Sequence, residues 1–232
     1  MQLTRLDSEF LRYLIDKAPG ERLPTLNQIG DDMGVSVGKL REQLEVARAL
    51  GLVSVRPRLG VQREQFDFAQ VLLHGILFSL ATGEATFEQL AQVRRVLELG
   101  FWDEAVAQLT PGDIARLEGL VARAWDKLRG EPIHVPTAEH RLLHMTIFGR
   151  LQNPFVIGLL ETYWDAYEAS EMTRFTQYAY WVSVWEYHEQ IVAALRAQAY
   201  AHGRQLLQEH FALLRTAPVS ALPPVPAGAH AA

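Results

Sequence analysis

The stretch GERLPTLNQIGDDMGVSVGKLREQLEVARALGLVSVRPRLG, Gly20 to Gly60, decides the fold of the N-terminal part. Thr25 can cap a short helix, LNQIGDDM, that ends at Gly34, and Ser36 can cap a longer one, VGKLREQLEVARAL, that ends at Gly51. LVSVR then alternates as a strand, PRLG supplies a turn, and VQRE is the returning strand. Upstream, LDSEFLRYLID places Leu6, Phe10 and Leu14 at helical spacing, with Leu11 beside them, before APGERLP interrupts the pattern. Three small helices followed by a two-stranded ribbon is the layout of a winged helix-turn-helix.

Such a fold presents its second motif helix to the major groove while flanking groups hold phosphates. Residues 1–65 carry 10 Lys/Arg against 9 Asp/Glu, a net of +1, and the remainder carries 12 against 18, a net of -6. The N-terminal part is therefore the place for a polyanion partner in a chain of net charge -5. The expected DNA-facing residues are Thr25 and Ser36 at the helix starts, Lys39 and Arg41 on the recognition helix, and Arg56 and Arg58 on the wing, with Arg63 nearby. On charge alone, an ordinary solvated surface explains the same residues.

The pattern resembles the winged-helix domain of the GntR regulators, which runs approximately G-x-x-LP-S-E-R-x-L-A-x-x-x-GVSR-x-TVREAL-x-x-L-x-x-x-GLV and continues into an R-x-G-x-G wing. The match needs no gaps from Gly20 to Gly60. Leu26 and Asn27 stand where the family has Glu and a phosphate-binding Arg, Val37 replaces a base-contacting Arg, and Arg58 replaces the first wing glycine. Arg41 matches the Arg of VREAL.

Beyond Gln65 long helical patterns follow one another, with breaks at ATGE near residue 84, LTPGD near 111, GEPIHVP near 133, Asn153-Pro154, and the polar stretch around Thr173. About seven helices are expected, an all-α bundle over residues 65–216. The Pro- and Ala-rich remainder, 217–232, is expected to be a disordered tail. The chain lacks an apolar run of the roughly 18 to 20 residues that a membrane span needs, and its start lacks signal-peptide features, so a cytoplasmic location is expected.

Cysteine is absent, so any metal must be held by His, Asp or Glu. In EHRLLHMTIFGRLQN, Glu139 to Asn153, His140 and His144 share a helix face with Ile147 and Leu151. His188 lies with Trp181, Val184, Trp185, Ile191 and Leu195, and His210 with Leu206, Leu207 and Leu213, on inward faces of separate helices. Buried imidazoles need partners, and a shared metal satisfies several at once. A lone histidine on an apolar stripe is otherwise a hydrogen-bonded core residue.

These residues resemble the FCD domain, the all-α effector domain of the FadR branch of the GntR family, over Phe66 to Arg215. Its metal-binding members carry D-x-x-x-H with an Asn nine residues on, then two further histidines 22 residues apart. His144 and Asn153 have the first spacing, and His188 and His210 the second. VRRVLE matches the family's R-x-x-L-E helix through Arg94 and Glu98. His140 stands where the family has Asp, so two ligand sets fit: all four histidines, or His144, His188 and His210 with His140 outside. A four-histidine set neutralises no charge and favours Zn²⁺ or Ni²⁺. Glu139 lies about 100° round the helix and is not expected to substitute.

The resemblance implies a homodimeric regulator, commonly a repressor, that binds double-stranded operator DNA and responds to a small carboxylate or sugar acid. Arg94 and Asn153 are the implied effector-binding residues, and Trp181, Trp185 and Tyr180 are expected to wall the pocket. Two other readings remain: a metal-dependent hydrolase, for which no HExxH or phosphate loop is found, and a bundle that serves only as a dimerisation scaffold.

Overall fold

The computed structural model describes residues 8–170 and 177–216. These residues divide into two compact units, parted between Phe78 and Ser79. The expected tail and the break around Thr173 lie outside the described residues.

The N-terminal unit holds α1 (Glu9–Ile15), α2 (Leu26–Met33), α3 (Val37–Ala49), β1 (Val53–Arg56) and β2 (Gly60–Arg63). Ser8, Thr25 and Ser36 accept hydrogen bonds from the amides of Leu11, Gln28 and Lys39, so each helix starts on a side-chain cap. Gln28 returns the bond to the Thr25 amide and completes a capping box. Gly34 ends α2 with φ +66°, a conformation that suits glycine. The α2–α3 turn is tight enough that a Cβ on Gly30 would meet the Val35 carbonyl at 2.8 Å.

The two strands pair antiparallel, with Val53 opposite Arg63 and Arg56 opposite Gly60. The segment before α2 adds a short third rung: Leu23 N donates to Val61 O at 2.8 Å and Arg63 N to Glu21 O at 2.9 Å. Phe10, Leu14, Leu23, Ile29, Leu40, Leu44, Val53 and Val61 form the core beneath. The expected winged helix-turn-helix is present, element for element.

α4 (Phe68–Thr82) follows, and the division between the units falls within it. The second unit continues with α5 (Phe87–Gly100), α6 (Trp102–Ala107), α7 (Pro111–Arg129), α8 (Thr137–Phe148), α9 (Pro154–Ala169), α10 (Tyr178–Arg196) and α11 (Tyr200–Thr216). α10 packs on α7 and α11, α8 on α7 and α9, and α5 on α9 and α11. Trp102, Leu120, Leu143, Trp164, Trp181, Trp185 and Leu207 are among the side chains that fill the centre. Capping boxes at Thr86 and Thr110 and the Asn153 cap start α5, α7 and α9.

Two breaks differ from expectation among the described residues. At Phe101 the chain ends α5 and begins α6 on one residue, without Pro or Asn to mark it. After α10 the turn is closed by Gln198 at φ +55°, with Ala199 N donating to Ala194 O at 2.9 Å. Gly100 is the one breaker at the first junction and the second has none, so helical periodicity runs through both.

Candidate functional site

α8 presents His140 and His144 one turn apart, α10 presents His188, and α11 presents His210. All four are buried, and one ligand atom from each lies within 4.8 Å of the others. Ring centroids are 4.5 Å apart for His188 and His210, 4.9 Å for His140 and His188, and 5.2 Å for His140 and His144. Of the two histidine sets left open by the sequence, all four side chains are brought together, His140 included. Desolvation pushes each imidazole well below its ordinary pKa, and repulsion from the other charges, Arg94 included, adds to it. Burial thus favours the neutral rings, which offer lone pairs.

Their hydrogen bonding is incomplete. Both nitrogens of His140, both of His210, and Nδ1 of His188 are buried with no hydrogen-bond partner among the described residues. Each unsatisfied group costs about 1–3 kcal/mol if nothing ever fills it. His144 Nε2 and His188 Nε2 stand 3.2 Å apart. Zinc–nitrogen bonds of about 2.0–2.1 Å in a tetrahedral site put neighbouring nitrogens about 3.3–3.4 Å apart. The donor set therefore fits a divalent, nitrogen-preferring ion.

Beside the rings lies a charged pair from α5. Arg94 Nε donates to Glu98 Oε1 at 2.7 Å, and Glu98 Oε2 lies 2.8 Å from His144 Nδ1. The guanidinium sits 4.4 Å from the centre of the Trp164 ring and 4.7 Å from that of Tyr163, which holds it by cation–π contact. Its Nη2 is buried with no partner among the described residues. Burial pushes the Glu98 carboxyl up, and Arg94 opposes that shift.

Trp181 and Trp185 lie 5.9 and 6.4 Å from the His140 ring, and Tyr180 stands behind Trp181. Asn153 is placed otherwise: its Oδ1 accepts from the amides of Phe155 and Val156 and starts α9. Glu139 turns away to Lys127, 2.8 Å from its Nζ. Sequence reasoning gave no role to Glu98, Trp164 or Tyr163. The i, i+4 spacing of Arg94 and Glu98 was the available signal for the first.

In the N-terminal unit, Arg41 and Arg56 are exposed. Arg58 sits at the tip of the wing with φ +66°, a left-handed backbone that favours glycine. Thr25 spends its hydroxyl on both sides, accepting from the Gln28 amide and donating to Gln28 Oε1 at 2.9 Å, whereas Ser36 accepts from the Lys39 amide. Lys39 is engaged: its Nζ donates to Glu9 Oε1 at 2.6 Å. Arg63 is a correction to the sequence reading, because its Nη1 donates to the Leu52 carbonyl at 3.1 Å and to the Glu64 carbonyl, inside the ribbon. Arg22, overlooked in the sequence, joins Arg56, Leu59, Gly60 and Gln62 around a cavity of about 140 Å³ on the wing.

Comparison with known proteins agrees with both halves. The FCD domain family matches residues 89–213. The HTH-type transcriptional regulator LutR of Bacillus subtilis is 27% identical over 100 residues, 43% of this chain and 45% of that protein. The regulator McbR of Escherichia coli is 27% identical over 146 residues, 63% of this chain and 58% of that protein. The aligned region thus spans about half the length of these relatives. In fold, a GntR protein of Streptococcus agalactiae superposes with a TM-score of 0.61 at 18% identity, covering 90% of this chain and 96% of the other. No helix among the described residues is long and apolar enough to cross a membrane. These relatives are named as transcriptional regulators, the fold is that of a winged helix-turn-helix followed by a helical domain, and the chain belongs to the FCD domain family.

Proposed function

We propose that the protein is a ligand-responsive repressor, a cytoplasmic homodimer that binds a pseudo-palindromic operator through residues 1–64 and senses a small carboxylate or sugar acid through residues 65–216. The observation that supports the sensing site is the set of four buried, neutral imidazoles on three helices, short of hydrogen-bond partners. His140, His144, His188 and His210 would hold one divalent transition metal, with Zn²⁺ or Ni²⁺ favoured by the all-nitrogen donors. When bound, such an ion is a Lewis acid for an anionic oxygen.

Charge supports an anionic effector. Arg94 and Glu98 cancel, and four neutral imidazoles contribute nothing, so the charge of the ion is uncompensated in a buried site. The free Nη2 of Arg94 supplies a second anchor for a carboxylate. Trp181 and Trp185 exclude water around His140. Asn153 contributes to the effector only through its side-chain NH₂, since its oxygen caps α9. For the signal to reach DNA, the effector must bind one arrangement of the two DNA-binding domains better than another.

A metal-free dimerisation scaffold is the second reading, favoured by one contact: His144 and His188 are close enough to bond each other directly. That contact leaves the nitrogens of His140 and His210 without partners. Metal analysis of protein purified without chelator or affinity tag decides between them. About one transition metal per chain is expected, lost when His144 and His188 are both replaced by Ala. Equal metal content in parent and double variant rejects the site.

A further inference from the structure

Four histidines can bind a cation only if each turns a lone pair toward it, and a neutral imidazole has just one. For His144 that choice is made by Glu98. With Arg94 donating to its other oxygen, Glu98 is held as a carboxylate, which can only accept, so the 2.8 Å contact puts the proton on Nδ1 and leaves the lone pair on Nε2. Nε2 is the nitrogen that faces His188 across 3.2 Å, the centre of the cluster. The other carboxylate oxygen is held by Arg94, and the Arg94–Glu98 pair is closed off from solvent, so water does not offer His144 a competing partner.

We propose that Glu98 is a positioning residue for the metal site, fixing the tautomer of His144 and supplying through that ring the carboxylate that is missing from the ligand set where His140 stands. This rests on the metal reading above. A carboxylate behind a ligating imidazole raises the basicity of the ring, and losing such a partner typically weakens metal affinity by roughly 10- to 100-fold. His140, His188 and His210 show no carboxylate contact of this kind among the described residues, so the effect concentrates on His144. Through Arg94 the same carboxylate orients the guanidinium whose Nη2 is left for an anion.

Two measurements on the full-length protein test it. First, ¹⁵N-histidine spectra of metal-stripped parent protein should show His144 protonated on Nδ1; protonation on Nε2 overturns the proposal. Second, cobalt(II) titration, followed by its visible absorption, should show a Kd weakened roughly 10- to 100-fold in Glu98→Gln relative to the parent. If Glu98→Gln does not fold, the charge-balanced pair Arg94→Met with Glu98→Gln is titrated instead, with the same expected loss. Parent-like affinity in a folded variant overturns the role of Glu98 while the metal site stands. Failure of the parent to bind cobalt overturns the metal site and this role together.

Discussion

Arg94 and Glu98 form an ion pair one helical turn apart on α5, 2.7 Å from Nε to Oε1, with both side chains almost wholly withdrawn from solvent. Two charges so placed lose their hydration and regain it only from each other and from their neighbours: His144 for the carboxylate, and the Tyr163 and Trp164 faces for the guanidinium. Removing one partner strands the other. Arg94→Met is therefore expected to destabilise the protein by about 3–5 kcal/mol, whereas Arg94→Met combined with Glu98→Leu should cost far less, because no charge is left buried. Urea denaturation of the two variants checks this; additive losses would mean the pair is not coupled.

The histidine cluster makes stability depend on pH. Burial lowers the pKa of all four rings in the folded state, while in the unfolded chain they titrate near the ordinary value of about 6.5. The unfolded state thus binds more protons below that value. Stability is full above about pH 6.5 and falls as pH drops toward the depressed folded pKa values, by about 1.4 kcal/mol per pH unit for each ring that stays neutral. Metal-stripped protein should show a urea midpoint that is flat from about pH 8 to 7 and drops steeply below 6. Replacing His140 and His210 with Leu together should flatten the acid limb, and an unchanged limb would show that other groups set it.

Much of this was legible in the sequence because the signals are local. Caps at Thr25 and Ser36, Gly34 after α2 and the alternation of LVSVR are each decided within a few residues, and each appears as expected. The gathering of His140, His144, His188 and His210 was legible through spacing on inward helix faces. What escaped depends on partners far along the chain. Glu98 has a place in the R-x-x-L-E pattern but no visible partner beyond its own helix until α8 brings His144 against it across 46 residues. Arg63 looks like a wing cation until the ribbon folds its guanidinium onto the Leu52 carbonyl.

Lys39 illustrates the same point on the DNA side. Glu9 holds it at 2.6 Å and also accepts from Gln43 at 2.6 Å, and these bonds keep the Glu9 carboxyl down at about 2. The pair is intact at neutral pH and is lost only as pH falls through that value. On an operator, Lys39 would therefore meet a phosphate with its charge already matched. Arg41→Ala should weaken binding to a duplex from the protein's own upstream region more than Lys39→Ala does. Glu9→Gln should tighten binding at low salt and steepen the dependence of log K on log salt by about one. Fluorescence anisotropy across a salt series measures both, and a weaker-binding Glu9→Gln would reverse the assignment.

The wing sets stability against binding at one residue. Arg58 lies between Pro57 and Leu59 in the turn that joins β1 to β2, at φ +66°, where a side chain with a Cβ costs about 1–2 kcal/mol and glycine costs little. Arg22 donates to the Arg58 carbonyl at 3.4 Å, a contact of the backbone that survives any change of the side chain. Arg58→Gly removes the strain and, with it, a cation at the tip of the wing. The variant is expected to unfold at higher urea, by about 1 kcal/mol, while its DNA affinity falls and its salt slope flattens by about one. Arg58→Ala keeps the strain and loses the same cation, so it should bind DNA as weakly as Arg58→Gly without the gain in stability. If the two variants were equally stable, the left-handed turn would not be what Arg58 strains; if both bound DNA like the parent, Arg58 would not touch a phosphate.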